Sequence, residues 1–320
     1  MELVLDFERP LVELNRRIDM LRQTEVANGL DLGASIRELE RQADGLQRQI
    51  LANLTPWQRT LLSRHPARPY TLDYAADWLT DSNELHGDRS GADDPAIIGM
   101  LGTFRGRSIV LIGHQKGRTT KENVYRNFGM ALPDGYRKAL RLMRLAERFG
   151  LPIVTLIDTP GAYPGIDAEA RGQAEAIARN IMEMSALGVP VVCCVIGEGG
   201  SGGALALGVG NRVLMLDNAT YSVISPEGCA AILWHDRAEA PRAAEALKLT
   251  AQDCLRLRVA DRLVEEPAGG AHRNQADTMR ALGDAVEETL KELSALSPAE
   301  LRADRYARFR NLGAIEDRGE

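Results

Sequence analysis

Large rings are scarce in this chain: aromatic residues make up 5% of 320. Its core must therefore be built from Leu, Val, Ile and Ala, with backbones approaching closely where the 30 glycines fall. Cysteine is also sparse. Cys193, Cys194, Cys229 and Cys254 show no CxxC spacing, which excludes a disulfide scaffold and leaves no zinc ligand set, so no metal is expected in this chain. They read as reduced, buried thiols of a cytoplasmic protein. Positive charge is in deficit, with a net charge of −6, so no global field draws the chain to nucleic acid or anionic lipid. Long apolar runs are missing: Val189 to Gly197, the most apolar stretch, is too short to span a bilayer. The opening MELVLDFERP carries acids where a secretion signal needs a basic flank. What remains, 44% hydrophobic and 26% charged residues, is globular composition with mass for two domains, or for one with an extension.

The first fifty residues differ from the rest. Leu11, Leu14, Ile18 and Leu21 recur at spacings of three and four, as do Ile36, Leu39, Ala43, Leu46 and Ile50. With Asn28-Gly29 and Gly33 between them, these seams predict an antiparallel helical hairpin with arms about 25 Å long. Thr55, Pro56 and Gln58 then spell the start of a third helix with a capping box. Residues 1–65 are read as a helical arm and 66–320 as the main unit. From about residue 96 strands and helices alternate. SIVLIGHQ (108–115) is a strand, and Pro133 to Phe149 a helix stopped by Gly150. PIVTLIDTPGAYPG (152–165) is a buried strand running into a glycine turn, and Asp167 to Leu187 a helix. PVVCCVIGEGGSGGALALG (190–208) repeats strand, glycine turn and helix, RVLMLD (212–217) is a further strand, and Ala276 to Leu296 and Ser297-Pro298-Ala299-Glu300 open two last helices. Near-continuous apolar strands between helices imply an α/β core with both sheet faces covered.

The segment Gly197-Glu198-Gly199-Gly200-Ser201-Gly202-Gly203 fits three motifs. From Gly197 it is GxGxxG, with Asp217 at dinucleotide-binding distance. From Gly199 it is GxSxG, a nucleophile elbow for Ser201, with Asp217 or Asp236 and His235 or His272 downstream. Read plainly, it is a strand opening onto a helix start whose N–H groups lie bare. The helix that follows has room for about nine residues, short for a dinucleotide crossover. Consecutive Gly202-Gly203 suits donors aimed at a developing oxyanion. A second turn, Asp158 to Gly165, stands after the preceding strand and is stiffened by Pro160 and Pro164. Neither turn supplies an obvious base. Glu198 can orient its turn without acting as one, and His114 reads as structural.

GHQKGR (113–118), RNFGMALPDGYRKALRLM (126–143), DTPGAYPG (158–165), GEGGSGGALALG (197–208) and YSVISPEGCAAILW (221–234) closely resemble the α subunits of bacterial acetyl-CoA carboxylase carboxyltransferase. LDFERPLVELNRRI and VADRLVEEPAGGAH (259–272) fit as well, so the resemblance runs nearly end to end. It implies a ClpP/crotonase-like spiral of β-β-α units, here with an N-terminal helical hairpin. It implies transfer of the carboxyl group from carboxybiotin, borne on the biotin carboxyl carrier protein, to acetyl-CoA, giving malonyl-CoA for fatty-acid synthesis. ATP is used only by the biotin carboxylase of that complex. A zinc-bearing β subunit is the implied partner, in an α2β2 assembly, and supplies most of the acetyl-CoA side. By resemblance Gly202, Gly203 and Ala204 form the biotin-side oxyanion hole through backbone N–H, with Gly161 and Ala162 as a contributing wall. The basic residues Lys116, Arg118, Lys121 and Arg126 are candidates for CoA phosphates or the carrier. Ser225-Pro226-Glu227-Gly228 reads as a helix start shaping a wall of the site. The competing reading is a serine hydrolase of the same superfamily with Ser201 as nucleophile.

Overall fold

The computed structural model describes residues 3–312, so residues 313–320 of the expected main unit lie outside the described residues. The hairpin is present as α1 (Arg9–Asn28) and α2 (Gly33–Ala52). Leu11, Ile18, Ile36 and Ala43 are buried between the two helices, flanked by Leu14, Leu21, Leu39, Leu46 and Ile50. Gly29 ends α1 at φ +63°, the left-handed cap that glycine adopts without strain. The arm thus owns a small core of its own. Next, α3 (Pro56–Ser63) starts on the expected capping box, Thr55 accepting from the Gln58 N–H. Helix α3 is bonded to both parts: Arg59 Nη2 donates to the Leu51 carbonyl of α2 at 3.4 Å, Arg59 Nη1 donates to Asn218 Oδ1 at 2.7 Å, and the Ser63 and Thr220 hydroxyls lie 3.3 Å apart.

After α4 (Thr71–Trp78), β1 (Leu79–Glu84), β2 (Ile97–Phe104) and β3 (Arg107–His114) form an antiparallel meander. The turn between β2 and β3 is Arg105-Gly106, both at positive φ, as a two-residue hairpin requires. Then come α5 (Thr120–Tyr125), α6 (Pro133–Phe149), β4 (Ile153–Thr159), α7 (Ile166–Ala170), α8 (Gln173–Ala186), β5 (Val191–Gly200) and α9 (Ser201–Leu205). The chain closes with β6 (Arg212–Leu216), β7 (Thr220–Ser222), α10 (Pro226–Leu233), α11 (Ala240–Leu247), α12 (Ala251–Arg256), β8 (Arg262–Val264), α13 (Gln275–Leu293) and α14 (Pro298–Arg310). The sheet order is β1-β2-β3-β4-β5-β6-β8, with β7 paired to β5 and every pair beyond β3 parallel. All seven residues of β4 and the first nine of β5 are buried, as strands covered on both faces must be.

Two helices differ from expectation. The single helix read over 167–187 is broken into α7 and α8 because Gly172 adopts φ +83°. The helix after the glycine turn has five residues, ending before Gly208 and Gly210. No described helix is long and apolar enough to cross a membrane. All four cysteines are unpaired and buried, and burial pushes the Cys193 thiol up to about 11.

The chain's start is strapped to its distant end. Glu8 accepts from His272 Nε2 at 2.9 Å and from Arg273 Nη2 at 3.1 Å. The His65 ring lies 4.4 Å from that of His272, and His65 Nε2 is 3.0 Å from the Leu3 carbonyl. The ligand-type atoms of Glu8, His65 and His272 all lie within 4.8 Å of one another. They are spent on hydrogen bonds, however. The Ala67 N–H donates to His65 Nδ1, which leaves Nε2 carrying the hydrogen toward Leu3. Burial pushes the Glu8 carboxyl up, but the hydrogen bond and charge of His272, then those of Arg273, outweigh it and hold it at about 2. The strap is therefore whole above the ordinary value of 4.5 and is lost as pH falls from there through about 2. Glu8→Gln should lose about 1.5–3 kcal/mol at pH 7, and its stability should depend less on pH across that acid window than the wild type's. Denaturant melts at pH 7 and pH 3 test this; equal stability of the two proteins at both would refute the strap.

Candidate active site

The two glycine turns stand side by side because β4 and β5 are parallel neighbours, with Thr159 opposite Gly199. They touch. A Cβ on Gly200 would stand 2.2 Å from the Pro160 carbonyl oxygen, and one on Gly203 would stand 2.5 Å from Ala162 N. A Cβ on Gly197 would meet Asp158 Oδ1 at 2.4 Å. Every third residue of the second turn must lack a side chain so that the first can lie against it. Gly202 differs: its Cβ would meet only Ile177 side-chain atoms, at 3.7 Å.

At the top of this contact Ser201 takes φ +53°, the left-handed region that costs an L-residue energy. Gly200 caps α9, so the N–H groups of Ser201, Gly202 and Gly203 have no carbonyl within the helix to reach, whereas that of Ala204 returns to Gly200. Of these, Gly202 and Gly203 belong to the trio named from the sequence, and both stand at the very start of α9. In the first turn Thr159 Oγ1 accepts from the Gly161 N–H at 3.1 Å and donates to the Gly161 carbonyl at 2.7 Å. Gly161 is therefore rigid, with its N–H already engaged. Tyr163 N donates to the Ala131 carbonyl, and the Gly161–Ala162 peptide is the part of this turn that faces Gly203.

Behind the turns lies a chain of buried charge that the sequence reading missed. Lys116 Nζ donates to Asp158 Oδ1 at 2.7 Å and to Glu198 Oε2 at 2.9 Å. Arg64 Nε donates to Glu198 Oε1 at 2.6 Å, and the rest of its guanidinium pairs with Glu227 at the start of α10. Burial works against the Lys116 ammonium, but the charges and hydrogen bonds of Asp158 and Glu198 outweigh it and hold it above its usual range. Burial also pushes Glu198 up, and Lys116 and Arg64 bring it below the ordinary carboxylate value. Glu198 is thus an anchored anion.

The basic residues named from the sequence do not form one patch. Lys116 is the correction: its ammonium is turned inward onto two carboxylates, not outward to a phosphate. Arg118 pairs with Asp73 at 2.7 Å and lies over the Tyr70 ring, and Arg126 donates to the Pro95 carbonyl at 2.7 Å. Lys121 is exposed.

Neither decoy motif has its partners. No histidine or carboxylate among the described residues is hydrogen-bonded to the Ser201 hydroxyl. His272 is held by Glu8, and His235 lies exposed beyond α10. His114 is buried beneath Gly203. Its ring nitrogens face the Leu156 and Gly203 carbonyls without a well-formed hydrogen bond. Burial, then the Lys116 charge, bring it down to about 3, so the ring is neutral. Asp217, the dinucleotide acid, is half-buried beside Glu266 and accepts from the Asn218 side chain and the Glu266 N–H. Burial and then the Glu266 charge push it up to about 7. The serine hydrolase reading therefore finds no support in this geometry.

Comparison with solved structures gives the class. The chain aligns with transcarboxylase 12S over 79% of its own length and 44% of that chain (TM-score 0.57, 20% identity). It aligns with the β subunit of P. aeruginosa geranyl-CoA carboxylase over 82% and 48% (0.53, 19%). With a Pseudomonas malonate decarboxylase hetero-tetramer in complex with coenzyme A the figures are 68% and 89% (0.56, 16%). At such identities the likeness shows the fold alone, and the fold is the crotonase-like one of acyl-CoA carboxyltransferases. Sequence narrows it. Residues 4–313 match the model of the family described as acetyl co-enzyme A carboxylase carboxyltransferase-like. The chain is 58% identical to the acetyl-coenzyme A carboxylase carboxyl transferase subunit alpha of Thermus thermophilus, over 98% of this chain and 99% of that one. It is 55% identical to the subunit of the same name from Bordetella pertussis, over 98% of each. The chain belongs to this family of carboxyltransferase α subunits, whose designation implies a complex with other subunits.

The geometry separates two adjacent glycines. Gly202→Ala should fold with a stability within about 1 kcal/mol of wild type, because its methyl makes only ordinary contact with the Ile177 side chain at a helix start. Gly203→Ala should lose about 1–3 kcal/mol, because the Ala162 and Gly161 backbone cannot retreat like a side-chain end. Thermal unfolding of both decides it; equal melting temperatures would show that the turns are not in contact.

Proposed function

We propose that this chain supplies the carboxybiotin side of a carboxyltransferase that passes a carboxyl group to acetyl-CoA, giving malonyl-CoA. The observation that carries the reading is the pair of N–H groups on Gly202 and Gly203 at the start of α9, with Gly203 set against Ala162 by a contact that admits no side chain. Amide donors of this kind suit the ureido oxygen of biotin, which accepts hydrogen bonds and offers no acidic proton to a base. Bound there, carboxybiotin supplies the carboxyl group and the oxygen on which negative charge grows as that group leaves. The protein's own part is to fix N–H dipoles before the charge develops, so that none must reorient during reaction. Ala204 follows them as the third residue of the expected hole; Gly161, whose N–H is held by Thr159, shapes the wall without donating.

A zinc-bearing β subunit, in an α2β2 assembly, brings the acetyl-CoA side, while the biotin carboxyl carrier protein delivers the biotin and a biotin carboxylase charges it with ATP. Two features support a partner at this face. Leu205, Val223, Ile232 and Leu233 are exposed on α9, the β7–α10 link and α10, close to the second turn. The chain also matches less than half of the transcarboxylase 12S chain, which leaves room there for a second unit of similar size. Lys121, with the outer faces of Arg118 and Arg126, remains the candidate contact for CoA phosphates or the carrier, and no role follows for Lys116 there. The cytoplasm is the compartment this chemistry implies.

The test removes a donor without adding a side chain. Replacing the Gly202 or Gly203 amide by an ester, in the α subunit purified with its β subunit, should lower kcat for malonyl-CoA decarboxylation onto free biotin by about 10²–10³-fold per donor. Ser201→Ala should keep most of the wild-type rate. Full activity in both ester variants would sink the oxyanion-hole assignment, and no transfer by the wild-type pair would sink the function.

A further inference from the structure

We propose that Lys116 is a positioning residue: its single ammonium ties the ends of β4 and β5 together and so holds the two glycine turns in register. The inference rests on the reading above that these turns are the site. Asp158 is the penultimate residue of β4, and Glu198 lies two residues before the end of β5. Each turn therefore leaves its strand just beyond a carboxylate that Lys116 holds.

The junction is over-determined in a way that a stabilising pair alone does not need. Asp158 Oδ1 accepts from Lys116 Nζ at 2.7 Å and from the Glu198 N–H at 2.9 Å. The two oxygens of Glu198 are each taken by a different cation, Lys116 and Arg64, so its carboxylate cannot rotate. The lysine stem is closed over by Gly129, whose φ is +78° and whose Cβ would stand 2.9 Å from Lys116 Cγ. That approach is made by a left-handed run, Asn127 at φ +46° and Phe128 at φ +56°, neither of them glycine. Strained backbone persists where the surroundings demand it, and here what it packs against is the lysine and the Asp158 carbonyl. A lysine fits where an arginine does not, because one nitrogen meets two oxygens at once. Two of its three hydrogens are engaged by carboxylates, and 11% of its side chain is exposed. It is placed to hold protein, not substrate.

Buried ion pairs are weak devices for stability and are better attested as devices for specifying one arrangement. The arrangement specified here is a narrow one, since the turns meet at Gly200 and Gly203 with no slack. Moving one strand end would separate the amides from Ala162, and a misplacement of about 1 Å in a reacting geometry costs about a hundredfold in rate.

Lys116→Met, purified with its β subunit, tests this with two independent readings. Hydrogen exchange at Gly161, Tyr163, Glu198 and Ala206, whose N–H groups anchor the two turns, should quicken by about tenfold or more, while the hairpin arm is unchanged. In malonyl-CoA decarboxylation onto biotin, kcat should fall about a hundredfold, with KM for malonyl-CoA little altered. Faster exchange with an unchanged kcat would uphold the positioning role and refute the turns as the site. Unchanged exchange would overturn the proposal, whatever the rate. Should the methionine variant fail to assemble, Lys116→Arg keeps the charge without the one-nitrogen geometry. It should show the same quickened exchange and lowered kcat, and unchanged exchange in it would equally overturn the proposal.

Discussion

Two turns that touch without side chains between them are the constraint on which this structure depends. Parallel strands run about 4.8 Å apart, and a turn leaving each at the same end must normally diverge to make room for its residues. Here the turns after β4 and β5 converge instead, because Gly197, Gly200 and Gly203 present hydrogen where any other residue presents a Cβ. The third-residue spacing follows from that contact, and so does the conformation of Ser201, which must enter the left-handed region to bring Gly202 and Gly203 round into α9. The bare N–H groups are a by-product of the same geometry: a helix that starts at the contact leaves its first donors there. One steric condition thereby yields both the shape and the polarity of the site.

Charge is kept behind this contact rather than in it. Lys116, Asp158, Glu198, Arg64 and Glu227 form a continuous line from β3 to α10. A second buried cluster, Arg68 with Glu266, sits beside Asp217 and ties the β5 carbonyl of Ile196 to the segment after β8. Each of these ions gives up hydration, and its partners must make good the loss. What the fold obtains is a set of strand ends that cannot slide, beneath amides whose dipoles carry fixed direction. A side-chain acid or base inside the site would work against that, since its own charge would compete with the charge the amides are placed to meet.

Legibility in the sequence followed the range of the interaction. Features set by neighbours along the chain were readable: the hairpin seams, the capping boxes at Thr55 and Ser297, the Gly150 stop of α6 and both glycine turns. The break at Gly172 was local too, yet it was overlooked because the apolar spacing on either side continues the pattern of one helix. The glycine turn itself was ambiguous among three motifs, and only the placement of His114, His272 and Asp217 separated them. Long-range pairings left no local signal. Arg64, Lys116, Asp158, Glu198 and Glu227 are scattered over more than half the chain, and Lys116 sits in a basic run that looks like a solvated loop. Its inward turn is set by Gly129 and by two strand ends that periodicity cannot bring together. Likewise nothing near Glu8 points to His272. The one clue available was the excess of glycine over what turns alone require.

The separation of amides from charges also bears on why such a chain works as one part of a complex. A hole made of backbone N–H groups stabilises an oxygen but moves no proton, and Glu198, the acid nearest to the turn, is pinned by two cations. Chemistry on a second substrate must therefore be brought to it from outside the turns. The same line of ions that fixes the strand ends terminates at Glu227, at the first turn of α10, whose Ile232 and Leu233 are exposed. A partner settling on that apolar helix would press on an element already bonded, through Arg64 and Glu198, to the turn that carries the donors. The turn that carries the amides and the apolar end of α10 are thus tied to one set of contacts through Arg64, Glu198 and Glu227.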